Sequence, residues 1–212
     1  MKKDAVLAKI KSERVVALIR ADSPDGLLDC ARALAAGGLT SIELTMTTPG
    51  AIAILAKATA EFPDFLFGLG TVLDAETART GILSGASFIV TPALRPEVIA
   101  VCRLYSIPIF SGALTPTEVV NTWEAGADAV KIFPAEFFGP AYIKSLKAPL
   151  PHIDMVPTGG VTPENVGDFL KAGATATAAG SSLVDAKSFK ERNWAAITAK
   201  AKAFVAAVAA AR

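Results

Sequence analysis

One junction recurs along this chain and limits its fold more than any other feature. The segments "AAGGLTSIEL", "LSGASFIV", "EAGADAVKI" and "KAGATATAA" each read as a helix end, a glycine and then a strand. Glycine just past a helix terminus takes the left-handed conformation without a Cβ clash. Gly38, Gly85, Gly126 and Gly173 therefore mark four equivalent turns. Around them run eight short apolar segments, at 15–20, 41–46, 66–71, 87–92, 107–112, 128–133, 154–159 and 175–180. Each is followed by a stretch of helical periodicity. Other connections place a hydroxyl before a proline, at Ser23-Pro24, Thr48-Pro49, Thr115-Pro116 and Thr162-Pro163, the pairing expected of an N-cap and first helical turn.

Eight βα units in unbroken succession close most naturally into an α/β fold of the (β/α)8 TIM-barrel type. An open doubly wound sheet is the alternative, but no GxGxxG follows the first strand. The expectation is a single domain over 1–212 with helical extensions at both ends. The closing segment, "WAAITAKAKAFVAAVAAAR", reads as an amphipathic helix with Ile197, Phe204, Val205 and Val208 as its apolar stripe.

Composition removes several classes of function. Apolar residues make up 52% of the 212 and charged residues 19%, with a formal net charge of +1. That excludes general disorder and gives no sign of a nucleic-acid partner. No apolar run reaches membrane length, and the lysines at the start are not followed by a signal-peptide core. Cys30 and Cys102 stand singly, with no CxxC, and His152 is the one histidine. A reduced, cytoplasmic protein without a zinc site is expected.

In such a barrel, active sites lie at the C-terminal ends of the strands. The polar residues there are Arg20, Glu43, Thr45, Thr71, Thr91, Ser111, Lys131 and Thr158. Lys131 is the most telling. It sits in "DAVKIF", where a buried strand would ordinarily hold Val or Ile. Alternation along "SIELTM" puts Glu43 and Thr45 on one face, with Ile42 and Leu44 on the other. The same rule pairs Lys131 with Phe133. The apolar partners suit the layer under the helices, so Glu43 and Lys131 should point inward. A purely structural ion pair explains them poorly, since buried pairs are often no better for stability than apolar replacements. Burial disfavours the charged amine, which suits a lysine used as a nucleophile.

A second signal is independent of the first. "PTGGVTPEN" follows the seventh strand and "AAGSSLV" the eighth. In barrels these two loops commonly hold a phosphate through backbone N–H groups. Gly159, Gly160 and Gly180 permit close backbone approach, and Ser181 and Ser182 add hydroxyls.

Together, "IELTMTTPGA", "GLGTVLD", "FIVTPAL", "VKIFPAE", "VPTGGVTPEN" and "GSSLV" resemble segments of the 2-keto-3-deoxy-6-phosphogluconate (KDPG) and 4-hydroxy-2-oxoglutarate aldolase family, in that family's order. The resemblance runs from about Arg14 to Val184. It implies a Schiff-base aldolase that releases pyruvate and glyceraldehyde 3-phosphate from a phosphorylated keto acid. No metal or organic cofactor is implied, and a homotrimer is. It further implies that Lys131 forms the imine, that Glu43 moves protons, and that Thr71, Pro92, Phe133 and Thr158 line the pyruvate half of the pocket.

One departure is visible. The best-known members carry, four residues after the glutamate, an arginine that holds the substrate carboxylate. Here that position is Thr47. Arg20, at the end of the first strand, is the expected substitute, and the 6-phosphogalactonate aldolases resemble this chain in having an arginine there. A phosphosugar isomerase or epimerase shares the phosphate loops but has no use for a lysine in strand six. A degenerate barrel that only binds a phosphometabolite is the remaining alternative.

Overall fold

The computed structural model describes residues 2–211. Its strands are β1 (Val15–Ile19), β2 (Ser41–Thr45), β3 (Leu66–Gly70), β4 (Phe88–Val90), β5 (Ile109–Ala113), β6 (Ala129–Ile132), β7 (Met155–Pro157) and β8 (Thr177–Ala179). They alternate with α2 (Leu27–Ala36), α3 (Ala51–Glu61), α4 (Ala75–Leu83), α5 (Pro96–Leu104), α6 (Pro116–Glu124), α7 (Gly139–Lys147) and α8 (Val166–Lys171). Helix α1 (Lys3–Glu13) precedes the strands, and α9 (Ala186–Lys190) and α10 (Trp194–Ala210) follow them. All eight segments read as strands in the sequence are strands.

The sheet runs β7-β6-β5-β4-β3-β2-β1-β8, and every neighbouring pair is parallel. Its two edges meet where Thr158 bridges Ala178 and where the Thr175 N–H donates to the Met155 carbonyl at 2.9 Å. The sheet thereby closes on itself, which removes the open doubly wound alternative.

Strand alternation divides the core in two. Outward residues such as Ile19, Ile42, Leu69, Ile89, Val130 and Met155 pack under the helices. Inward residues, among them Val16, Phe88, Phe110 and Val156, fill the barrel. Helix α1 stoppers the N-terminal mouth, because its Val6 and Ile10 belong to that inner cluster. Lys3 pairs with Asp128 at 2.6 Å and Lys11 with Asp154 at 2.7 Å, and Glu13 accepts from the Thr40 and Ser41 N–H groups. The barrel interior is therefore sealed below.

Gly38, Gly85, Gly126 and Gly173 all have φ between 96° and 103°, as the recurrent junction requires. The hydroxyl–proline pairs behave differently from one another. Only Thr115 caps a helix: it completes a capping box with Glu118 at the start of α6. Helices α2, α3 and α8 begin later, at caps Gly26, Gly50 and Asn165. Ser23, Thr48 and Thr162 lie in the preceding turns instead. Thr48 uses its hydroxyl to accept from the Ala21 N–H, tying the ends of β1 and β2 together.

The last helix buries Ile197, Ala201, Phe204 and Val208. Val205, expected in that stripe, is 37% exposed. The stripe is centred on Ala201, where a Cβ at Gly37 would lie 2.3 Å from that of Ala201, and Val205 sits at its edge over Gly38. A small residue rather than a valine therefore sits at the centre of the contact.

Replacing an N-cap threonine typically costs about 1 kcal/mol. Thr115→Ala should lower the urea midpoint accordingly with the slope unchanged. An unchanged midpoint would show that the capping box does not stabilise the fold.

Candidate active site

Strands β2 and β6 stand on opposite sides of the barrel, so inward side chains from each meet near its axis. Glu43 comes from β2 and Lys131 from β6. Glu43 is 1% exposed and Lys131 5%. The Lys131 Nζ lies 3.9 Å from Glu43 Oε1, beyond hydrogen-bond distance. Glu43 Oε1 has no hydrogen-bond partner. Both line a cavity of about 10 Å³, walled otherwise by Val16, Val90, Phe110, Val156, Thr158 and Ala178. That is near the smallest space that holds one water. Glu43 and Lys131 are the ionisable groups on its walls.

Strand β3 makes the room for this arrangement. Of its inward positions, Leu66, Gly68 and Gly70, the last two are glycine. A Cβ at Gly68 would meet the Phe88 ring at 2.2 Å, and one at Gly70 would lie 1.9 Å from Glu43 Oε1. On the other side Gly112, paired with Lys131, lets the Pro92 carbonyl fold against β5. Phe133 follows Lys131, with its ring centroid 5.4 Å from Nζ.

Thr158 holds the site's far wall. Its N–H donates to the Ile132 carbonyl and its own carbonyl accepts from Ala135, both at 2.9 Å. The loop after it carries Gly159 and Gly160 at φ 98° and 68°. A Cβ on Gly160 would lie 2.6 Å from that of Glu136, so two loops pack closely here. Two successive positive-φ glycines let the backbone of this loop approach a bound group closely. The β8 loop adjoins, with the Ser182 hydroxyl donating to the Val161 carbonyl. Ser182 is thus committed to the protein, whereas Ser181 is exposed.

Residues 6–200 match the family described as "Aldolase: KDPG and KHG aldolase". The chain belongs to that family. It is 35% identical to the 2-dehydro-3-deoxy-phosphogluconate aldolase of Haemophilus influenzae, over 89% of this chain and 90% of the relative. It is 37% identical to the 2-dehydro-3-deoxy-6-phosphogalactonate aldolase of Escherichia coli, over 92% of this chain and 96% of the relative. A solved KDPG aldolase from Legionella pneumophila superposes with a TM-score of 0.85 at 28% identity, covering 96% of this chain and 98% of that one. That structure holds pyruvate as a covalent carbinolamine intermediate. The protein is an aldolase, a carbon–carbon lyase, and the isomerase and binding-only readings give way.

The aldolase's sequence-predicted residues fall into three places. Lys131, Glu43 and Thr158 share the central cavity. Pro92 and Phe133 line an adjoining groove of about 410 Å³. Arg20, Thr71, Gly159, Gly160, Gly180 and Ser181 lie at or just beyond the strand ends of the same face. Arg20 is exposed and forms no ion pair among the described residues, so it is not held by Asp22 or Asp25. Thr47 shares a 2.8 Å hydrogen bond with the Thr45 hydroxyl. Thr91 and Ser111 bond to each other and to the Ala93 carbonyl, which occupies them structurally. Gly70 went unread in the sequence, although a glycine inside a strand is itself a sign of close approach.

The two cysteines are buried and take no part in the site. Burial pushes both the Cys30 and Cys102 thiols up to about 12. They stay neutral across the working pH range, and neutral thiols are inert. Native protein should leave a disulfide reagent unreacted at pH 8 and release both thiols only in guanidinium. Prompt reaction of the native protein would contradict this burial.

Proposed function

We propose that the protein is a Schiff-base aldolase that reversibly cleaves KDPG to pyruvate and glyceraldehyde 3-phosphate. The observation that carries this is the lysine–glutamate pair alone in an apolar barrel, 3.9 Å apart with one carboxylate oxygen unpartnered. Lys131, as the free amine, attacks the C2 ketone. Loss of water gives a protonated imine, which draws electrons from the C3–C4 bond. Glu43, through a water, takes the C4 hydroxyl proton. The C3–C4 bond breaks, the aldehyde leaves, and an enamine remains on Lys131. Glu43 returns a proton to C3, and hydrolysis of the imine frees pyruvate and the lysine. The electrophile is the lysine's own iminium, so the residues supply the chemistry without a cofactor.

Thr71, Pro92, Phe133 and Thr158 border the pyruvate half in this reading. Gly159, Gly160, Gly180 and Ser181 receive the phosphate, and the paired positive-φ glycines support that assignment. Arg20 holds the substrate carboxylate, with a guanidinium's two-pronged grip. Its exposed, unpaired position on the correct face supports the role, and Thr47, hydrogen-bonded to Thr45, offers no charge.

A second reading is favoured by that same exchange of residues. The 37% identical relative is named for the phosphogalactonate substrate, which differs from KDPG in configuration at C4. Because C4 becomes the aldehyde carbon, both substrates give the same products. The protein is further proposed to act as a homotrimer in the cytoplasm, as one barrel domain. No helix among the described residues is long and apolar enough to cross a membrane.

Pyruvate release from each C4 epimer tests the reading. The wild-type enzyme should cleave at least one of them, and Lys131→Ala should abolish cleavage while remaining folded. Turnover by folded Lys131→Ala would refute the Schiff base. Glu43→Gln should lower kcat by about 10²–10⁴, the usual contribution of a positioned base. Arg20→Ala should lower kcat/KM for pyruvate in the addition direction by roughly 10- to 150-fold, as for a lost charged hydrogen bond. Unchanged pyruvate dependence would return Arg20 to the surface.

A further inference from the structure

Gly70 is a glycine whose backbone does not need to be one. Its φ is outside the left-handed region, and the residue that does turn with φ 58° is its neighbour Thr71. A glycine placed for the turn would stand at 71. The three atoms nearest to a Cβ at Gly70 would all belong to Glu43: Oε1 at 1.9 Å, Cδ at 2.5 Å and Cγ at 2.6 Å. The Gly70 carbonyl accepts from the Met46 N–H at 2.8 Å, which fixes β3 against β2 at this level. The carboxylate of Glu43 therefore leans over β3, into the space that the missing side chain leaves. The same Oε1 stands 3.9 Å from the Lys131 Nζ, and both side chains line one cavity.

We infer that Gly70 is a positioning residue that sets the separation between the Glu43 carboxylate and the Lys131 amine. A methyl group at Gly70 displaces the carboxylate into the adjoining cavity, where it closes the 3.9 Å gap to a direct hydrogen-bonded ion pair. A carboxylate in contact stabilises the ammonium form. The amine that attacks the ketone is the uncharged form, so contact suppresses imine formation at any pH below the new midpoint. Glu43 is the one carboxylate on the cavity wall. Glu136, from the loop after β6, and Arg20, at the end of β1, are both exposed. No other charge faces the pair from β3, β4, β5, β7 or β8 on the cavity wall.

The inference rests on the aldolase reading and deepens it. Its test is the pH dependence of pyruvate trapping by cyanoborohydride, read by intact mass, in wild type and in Gly70→Ala. The midpoint in Gly70→Ala should move alkaline by about one unit or more, the size expected for an opposite charge brought into contact. The same substitution in the Glu43→Gln background should leave the midpoint where Glu43→Gln alone has it. Gly68→Ala, which meets the Phe88 ring instead, should lower the melting temperature without moving the midpoint. An unmoved midpoint in Gly70→Ala, or an equal shift in the Glu43→Gln background, would overturn the inference. No wild-type adduct at any pH would overturn the aldolase reading itself. If Gly70→Ala does not fold, Glu43→Ala must restore its melting transition, because the atoms closest to the added methyl belong to that side chain. A double variant that stays unfolded would equally overturn the inference.

Discussion

Two ionisable side chains on the axis of an apolar barrel are the condition that the rest of the structure serves. Removing an ion from water still costs several kcal/mol after relaxation, and a buried pair is often no more stable than apolar residues of the same volume. Lys131 and Glu43 do not even recover that cost through a close hydrogen bond, since 3.9 Å separates them. The surroundings must therefore hold them in place. Helix α1 seals the barrel below, the outer helices keep both strands buried, and Thr158 ties β7 to β6 and, across the closure, to β8. Stability is given up at the centre of the barrel and made good in its periphery.

The same division explains what could be read in the sequence. Period-2 alternation and the recurrent helix–glycine–strand junction are local properties, and all eight strands and the four junction glycines were legible from them. The inward direction of Glu43 and Lys131 followed from the same alternation. Helix starts were less legible. The hydroxyl–proline pairs at Ser23, Thr48 and Thr162 lie in turns one helical turn or less before the true caps. Thr48 in particular is claimed by Ala21, a contact between strands that no local window contains.

Contacts between elements are also what hid Gly70 and misplaced Val205. A glycine in "LFGLGT" announces that something approaches, but not that the visitor is a carboxylate from the neighbouring strand. An apolar stripe on α10 is visible in the periodicity, while the demand for alanine at its centre arises from Gly37 on α2. The exchange between Arg20 and Thr47 belongs to the same class. The two positions lie at the ends of adjacent strands, β1 and β2, a neighbourhood that the pairing of strands creates and no local window contains.

The central claim is that Lys131 forms the covalent bond to substrate. The most direct measurement is reduction of the enzyme in the presence of pyruvate, followed by proteolysis and mass mapping of every lysine peptide. The account predicts one pyruvate-dependent modification, on the peptide carrying Lys131. A modification on any other lysine, or none that depends on pyruvate, would contradict it.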